Sequence, residues 1–189
     1  MRAAHPDAVV EVWSADEHRL GLRPILRRVW YRRGQRPVAL GRPRYQWLYV
    51  YAFVDPPTGR TVWLLLPSVS IALFSRALAE FAPAVGAGAD HWVVLVIDRA
   101  GWHLSAQVEV PAGLALVFLP PYSPELQPAE RLWELADGPL ANHVVADLDE
   151  LEDLEGDQCR QLHDHPEWIQ GRTAYAWWPI PPAPQRPAA

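Results

Sequence analysis

A chain of 189 residues, half of them hydrophobic, is long enough for one domain with a sizeable core. Its single cysteine, Cys159, excludes an internal disulfide, and with neither a charged-then-apolar leader nor an apolar run long enough for a bilayer it reads as cytoplasmic, not secreted or membrane-embedded. The net charge of −5 is unevenly spread: residues 1–60 hold eleven Arg against five Asp or Glu, residues 61–130 two against six, and residues 131–189 four against eleven, so a basic first third on an acidic body points to a polyanionic partner.

In chain order, residues 9–13 (VVEVW) read as a short first strand, with Asp16 and Glu17 in the polar stretch beyond its end. A solvated turn is the plain account of those two acids. The next segment, LRPILRRVWYRRGQRP, ends in a turn at Arg33-Gly34 and carries Arg23, Arg27, Arg28, Arg32, Arg33 and Arg36, with Arg42 just beyond. With Trp30 and Tyr31 interleaved it reads as an arm along a phosphate backbone, or else as an ordinary solvated surface. Residues 45–54 (YQWLYVYAFV) and 61–66 (TVWLLL) flank Asp55-Pro56-Pro57-Thr58-Gly59, which predicts a hairpin with its Trp and Tyr side chains in the core. Ile71, Leu73, Phe74, Leu78 and Phe81 recur at helical spacing within 68–85, with Ser68 or Ser70 as the N-cap and Gly86 and Gly88 as the stop.

Residues 92–97 form a continuous apolar run that ends in Asp98, the pattern of a strand buried on both faces. A carboxylate just past such a strand sits where open α/β sheets place their ligands. A short helix is expected after Asp98, and capping that helix is the alternative role for this residue. Residues 114–119 repeat the strand pattern and stop at Pro120-Pro121. A Pro- and Ser-rich turn then leads to a helical pattern from about Pro128, with Glu130 in its first turn and Glu125 as a competitor nearby. Two strand ends and one helix start would bring Asp98 and Glu130 to one rim, which suggests a metal site. Beyond it, residues 127–143 read as one helix or a broken one. Residues 147–162 form an acidic amphipathic helix with Leu148, Leu151, Leu154 and Cys159 or Leu162 on one side and a solvated acidic face. Residues 167–178 read as a last short helix whose Trp168, Tyr175, Trp177 and Trp178 plug the sheet. The domain is therefore expected over 1–178, with 179–189 a disordered Pro- and Ala-rich tail.

The stretches SADEHRLGLRPILRRVWYRRGQRP, VIDRAGWH and LPPYSPELQPAERLW together resemble the catalytic domain of bacterial insertion-sequence transposases of the mariner superfamily, part of the DDE transposase and retroviral-integrase group. The likeness covers roughly residues 9–178, and the last of the three motifs is the specific one. It implies an α/β, ribonuclease-H-like fold, a mixed five-stranded sheet flanked by helices. It also implies that Asp16, Asp98 and Glu130 are the metal-binding carboxylates, and that His103, in an Asp-x-x-x-x-His element, is an accessory residue near the scissile phosphate. Hard cations such as Mg²⁺ or Mn²⁺ favour such oxygen ligands, and a pair of them can assist in-line displacement at phosphorus without a nucleophilic side chain. Arg99 follows Asp98 where many relatives have Asn, Gln127 stands where Asn is usual, and 31 residues separate Asp98 from Glu130.

The function this implies is metal-dependent DNA strand cleavage and transfer in transposition. Arg23, Arg27, Arg28, Arg32, Arg33, Arg36, Arg42 and Arg99 would bind double-stranded DNA, both element ends and target. Full relatives begin with helix-turn-helix domains, so the expectation is the catalytic half of a split transposase, with a separate recognition subunit, a possible homodimer and residence at the bacterial nucleoid when active. The alternative is a catalytically silent remnant that binds DNA or partner subunits; a stand-alone nuclease of the same fold is a third reading.

Overall fold

The computed structural model describes residues 7–30, 32–35 and 44–179. Five strands, β1 (Val9–Gly21), β2 (Trp47–Asp55), β3 (Arg60–Leu66), β4 (His91–Ile97) and β5 (Leu114–Phe118), form one sheet in the order β3-β2-β1-β4-β5. β2 runs antiparallel between β1 and β3, while β1, β4 and β5 run parallel, giving the mixed five-stranded sheet implied by the resemblance. The β2–β3 hairpin forms at its Pro- and Gly-rich turn. Gly59 there has φ +76°, and a Cβ would come within 1.9 Å of the Pro166 carbonyl oxygen, so both conformation and space require glycine.

The first strand departs from expectation. It does not stop at Trp13 with its acids in a turn but runs on to Gly21, so Asp16 and Glu17 lie inside it. The cause is a change of partner: residues 9–14 pair with β4, and residues 14–21 pair with β2. Polar residues are accommodated because side chains alternate between the two faces.

Helix α1 (Ile71–Ala84) starts where the Ser70 hydroxyl accepts from the Leu73 amide at 3.1 Å. It lays Phe74, Ala77, Leu78 and Phe81 on the sheet face made by Trp13, Ala15, Phe53, Leu95 and Ile97. Phe81 stacks on Phe53 at 4.2 Å and meets Trp13 edge-on at 5.3 Å. Burying each such ring stabilises the fold by about 1.5–3 kcal/mol. The other face is covered by α2 (Trp133–Ala136), α3 (Leu148–Asp164) and α4 (Pro166–Thr173), which set Ala136, Leu151, Leu162 and Ile169 against Leu20, Val50, Ala52 and Val54.

Two further expectations are corrected, and a third resolves to one of its two alternatives. No helix follows Asp98; turns carry the chain across to β5. The segment from Gln127 is broken, with 3-10 turns at Pro124–Leu126 and Pro128–Leu132 before the single turn of α2, because each proline fixes a new start and supplies no amide to continue an earlier ladder. Of the C-terminal aromatics only Trp178 plugs the sheet, at 5 % exposure with its indole donating to the Val12 carbonyl at 3.4 Å. Trp168 and Trp177 stay about half exposed, at 49 % and 51 %, because α4 ends at Thr173 and no helical face gathers them. The tail at 180–189 lies outside the described residues. Among the described residues no helix is long and apolar enough to cross a membrane.

Candidate active site

Strand register sets the first two carboxylates level with each other, although Asp16 is not among the walls of the cleft that Asp98 lines. Ser14 pairs with Val96 across the parallel β1–β4 ladder, so Asp16 and Asp98, two residues further along each chain, stand at the same level. Asp16 is gripped from the helical side, its Oδ2 accepting from the Trp133 indole at 2.9 Å. Trp133 stacks on His18 at 4.9 Å, and His18 bonds Asp137 at 3.0 Å. Burial pushes the Asp16 carboxyl up to about 7, with the Trp133 bond opposing and the charges of Glu17 and Glu130 adding to the rise.

Asp98 is exposed, and its Oδ1 accepts from the Ala100 amide at 2.9 Å and from His103 Nδ1 at 2.8 Å. The local motif is thus a side-chain turn, not a helix cap. His103 is only 2 % exposed, packs against Phe74 at 4.3 Å, and bonds Glu17 Oε1 through Nε2 at 2.8 Å. Burial alone would lower the imidazole, but the hydrogen bonds of Asp98 and Glu17 outweigh it and carry the ring to about 9. The charged ring therefore donates to a carboxylate from each nitrogen. The Trp102 indole nitrogen, 3.0 Å from Nε2, can donate to that atom only in the neutral ring. The His103 bond in turn holds Asp98 below the usual carboxylate range.

Glu130 reaches the same region from the 3-10 turn Pro128–Leu132. It lines an open cleft of about 390 Å³ with Asp98, Arg99, Tyr122 and Gln127, and Glu125 is not among the walls. Gln127 pins this loop to β1: buried, it donates to the Ala15 carbonyl at 2.8 Å and accepts from the Ser14 hydroxyl. Burial raises the Glu130 carboxyl, and the neighbouring charge of Asp98 is the next contribution. Glu130 therefore links the set electrostatically, its charge contributing to the rise at Asp16 and that of Asp98 to its own.

An all-carboxylate set is the donor chemistry a hard divalent cation prefers, and a cation would relieve the repulsion that raises Glu130 and contributes to the rise of Asp16. Among the described residues, however, no three His, Cys, Asp or Glu side chains lie close enough to hold an ion. Asp16 Oδ2 is tied to Trp133, so closure on an ion requires rotation at Asp16, while the bonds to Asp98 fall on Oδ1.

The predicted arm is anchored beside this site. Ile25 bridges Ala141, the Arg27 amide donates to Asn142 Oδ1 at 3.1 Å, and the Arg27 guanidinium donates to the Glu134 carbonyl of α2 at 3.0 Å. Arg23 lies over Tyr45 and donates to its hydroxyl at 3.2 Å. Arg28, Arg32 and Arg33 are exposed, with no side-chain hydrogen bond or ion pair among the described residues, and Leu26, Val29 and Trp30 are exposed beside them. A turn does form at Arg33-Gly34, closed by the Gln35 amide donating to the Arg32 carbonyl at 3.1 Å. Arg36 and Arg42 lie outside the described residues. Arg99 stands on the cleft wall next to Asp98.

Glu17 and Trp133 were not singled out for the site from the sequence. Had β1 been extended to Gly21, alternation would have put Glu17 on the face of Trp13 and Ala15, toward α1 and away from solvent. Nothing local marks Trp133, whose role comes from a contact 117 residues away in sequence.

The family described as DDE superfamily endonuclease matches residues 11–152. An uncharacterized protein of Sinorhizobium fredii, y4pE/y4sA, is 38% identical over 106 residues, which is 56% of this chain and 77% of that protein. Among solved structures, the Mos1 mariner paired end complex with Mn is similar with a TM-score of 0.59 at 15% identity, over 89% of this chain and 57% of the other. The Mos1 strand transfer complex is similar with a TM-score of 0.56 at 16% identity, over 87% and 54%. At such identities the likeness is one of fold, and it establishes the ribonuclease-H-like architecture. The chain spans just over half the length of the Mos1 chains it matches.

Proposed function

The chain belongs to the DDE superfamily endonucleases, and on that basis we propose that it is a metal-dependent DNA strand-cleavage and strand-transfer domain acting in transposition of an insertion sequence. The observation that carries this reading is the register that sets Asp16 and Asp98 level on neighbouring parallel strands, with Glu130 brought to the wall of the Asp98 cleft. Asp16, Asp98 and Glu130 would hold two Mg²⁺ or Mn²⁺ ions, in keeping with a similar fold whose structure is that of a complex with Mn. Bound there, the ions would supply Lewis acidity for in-line displacement at phosphorus. Trp133 orients Asp16, His103 orients Asp98, and Gln127 fixes the loop that carries Glu130. Water attacking a backbone phosphorus forms one P–O bond as the bond to the 3′ oxygen breaks, leaving a 3′-hydroxyl and a 5′-phosphate. That hydroxyl can then attack a target phosphorus in the same pocket, its new P–O bond forming as the target's own bond to a 3′ oxygen breaks and frees a 3′-hydroxyl in the target.

Arg28, Arg32, Arg33 and Arg99, with Arg36 and Arg42, would hold the DNA backbone, and the anchoring of Arg27 on α2 keeps the arm beside the carboxylates. Residues 1–178 form the catalytic domain in this reading. Recognition of the element's ends falls to a helix-turn-helix unit outside it, and the working assembly is a dimer on DNA.

A second reading, a catalytically silent domain that binds DNA or partner subunits, is favoured by one observation: among the described residues the acids do not close to ion-holding distance. Nicking of supercoiled plasmid in Mn²⁺, compared with Asp98→Ala, separates the two. The enzyme reading expects nicks from the wild type and background from the variant. Absence of both nicking and calorimetric Mn²⁺ binding in the wild type would establish the silent domain.

A further inference from the structure

Asp98 is the most exposed of the groups joined by the His103 bonds, and an aspartate just beyond a strand end is free to rotate about its Cα–Cβ bond unless something holds it. Here both hydrogen bonds to it fall on Oδ1, from the Ala100 amide and from His103, which leaves Oδ2 for a ligand. The imidazole itself must be held. A ring with one partner can turn over about its own axis and present carbon where nitrogen was. His103 does not have that freedom, because Glu17 Oε1 sits 2.8 Å from Nε2 while Asp98 Oδ1 sits 2.8 Å from Nδ1. The Glu17 side chain is 8 % exposed and the His103 side chain 1 %, so water does not substitute for the bond between them.

We propose that Glu17 is a positioning residue: acting through His103, it fixes the direction in which Asp98 presents its carboxylate to the cleft. The proposal rests on the reading of Asp98 as part of a carboxylate centre, and it gives adjacent residues of β1 complementary tasks. Asp16 supplies one carboxylate, while Glu17, its side chain on the opposite face of the strand, secures the other across the β1–β4 boundary. His103 then serves the chemistry without touching the phosphate, which suits its burial better than direct contact does. Partners of this kind behind metal-binding groups typically change affinity or activity by about 10–100-fold when removed.

The test compares wild type with Glu17→Gln, which keeps an acceptor oxygen but no charge, and Glu17→Met, which keeps the bulk and loses the acceptor. In metal-free protein, the His103 Nδ1–H proton that bridges to Asp98 is followed by NMR for its exchange with solvent. Exchange should quicken from wild type to Gln to Met; equal exchange in all three would overturn the proposal whatever the activity. If the Met variant does not fold, the wild-type and Gln pair decides in the same way. In plasmid nicking with Mn²⁺, the Met variant should lose about 10–100-fold in kcat with the KM for DNA unchanged, and Gln should recover part of that loss. Unchanged kcat in folded variants would also overturn it. A wild type that neither nicks nor binds Mn²⁺ would sink the catalytic reading, and the exchange measurement would still decide whether Glu17 orients Asp98.

Discussion

Glu155 shows how far burial governs the acids of this chain. It is fully buried within α3, and its Oε2 meets no hydrogen-bond partner. Desolvation pushes its carboxyl up to about 8, Asp137's charge adds to the rise, and Cys159 offers only a weak opposing contact at 3.8 Å. The folded-state value lies above the ordinary 4.5, so folding holds this proton more tightly than the unfolded chain does. The resulting stability is complete below pH 4.5 and is lost as pH rises toward 8. Between pH 5 and 7.5 the wild type should lose roughly 3 kcal/mol more than Glu155→Gln, in which nothing ionises. Urea unfolding at the two pH values checks this, and equal losses would mean that the carboxylate finds water or a cation in the fold. The same physics acts on Asp16 with a different outcome. One of its repelling neighbours, Glu130, lines a cleft open to ligands, whereas Glu155 is fully buried beside Asp137 and a thiol.

At the scale of elements, the arm divides its arginines between two tasks. Arg27 is spent on the Glu134 carbonyl and Arg23 on Tyr45, whereas Arg32 and Arg33 flank an exposed turn. Replacing Arg32 and Arg33 together by Ala should flatten the slope of log affinity against log salt by roughly 2, since each phosphate contact contributes about 0.9. Arg27→Ala should change that slope by less than about 1. Filter binding across a salt series distinguishes them, and equal slopes in wild type and double variant would return the turn to plain surface. The hairpin, α1, β4, β5 and α3 were legible in the sequence because each carries its own period, cap or breaker. The second half of β1 was not, because SADEHRLG becomes a strand only through β2, whose paired residues lie 26 to 40 positions away. That one boundary hid Glu17. The prolines at 124 and 128 were plain to see, yet the position of the loop they start is fixed by Gln127 gripping β1, a contact 112 residues away in sequence. The level placement of Asp16 and Asp98 depends on strand register, whereas their residue types and the motif around Glu130 could be read directly.

In the molecule as a whole, the two-sided sheet acts as a rigid bar, and the three carboxylates are mounted on it by unequal means. Asp16 sits on the central strand β1 and Asp98 just past the end of its neighbour β4, while the third rides a loop clamped by Gln127. The cores on the two faces are built without the carboxylates, so the fold does not depend on their closing together. A ligand that binds only the folded state stabilises it by mass action, by about 2.7 kcal/mol at one hundred times its dissociation constant. For a domain of this size that amounts to a rise in Tm of roughly 5–10 °C. Mn²⁺ should therefore raise the melting temperature of the wild type in a concentration-dependent way and leave Asp98→Ala nearly unmoved, although both fold alike without metal. Differential scanning calorimetry over a Mn²⁺ series makes the comparison. A wild type that melts at the same temperature with and without Mn²⁺ would show that Asp16 stays with Trp133 and that the carboxylates never close on an ion. The chain would then keep the fold of its family without the site's chemistry, and any function in DNA binding would rest on the arm alone.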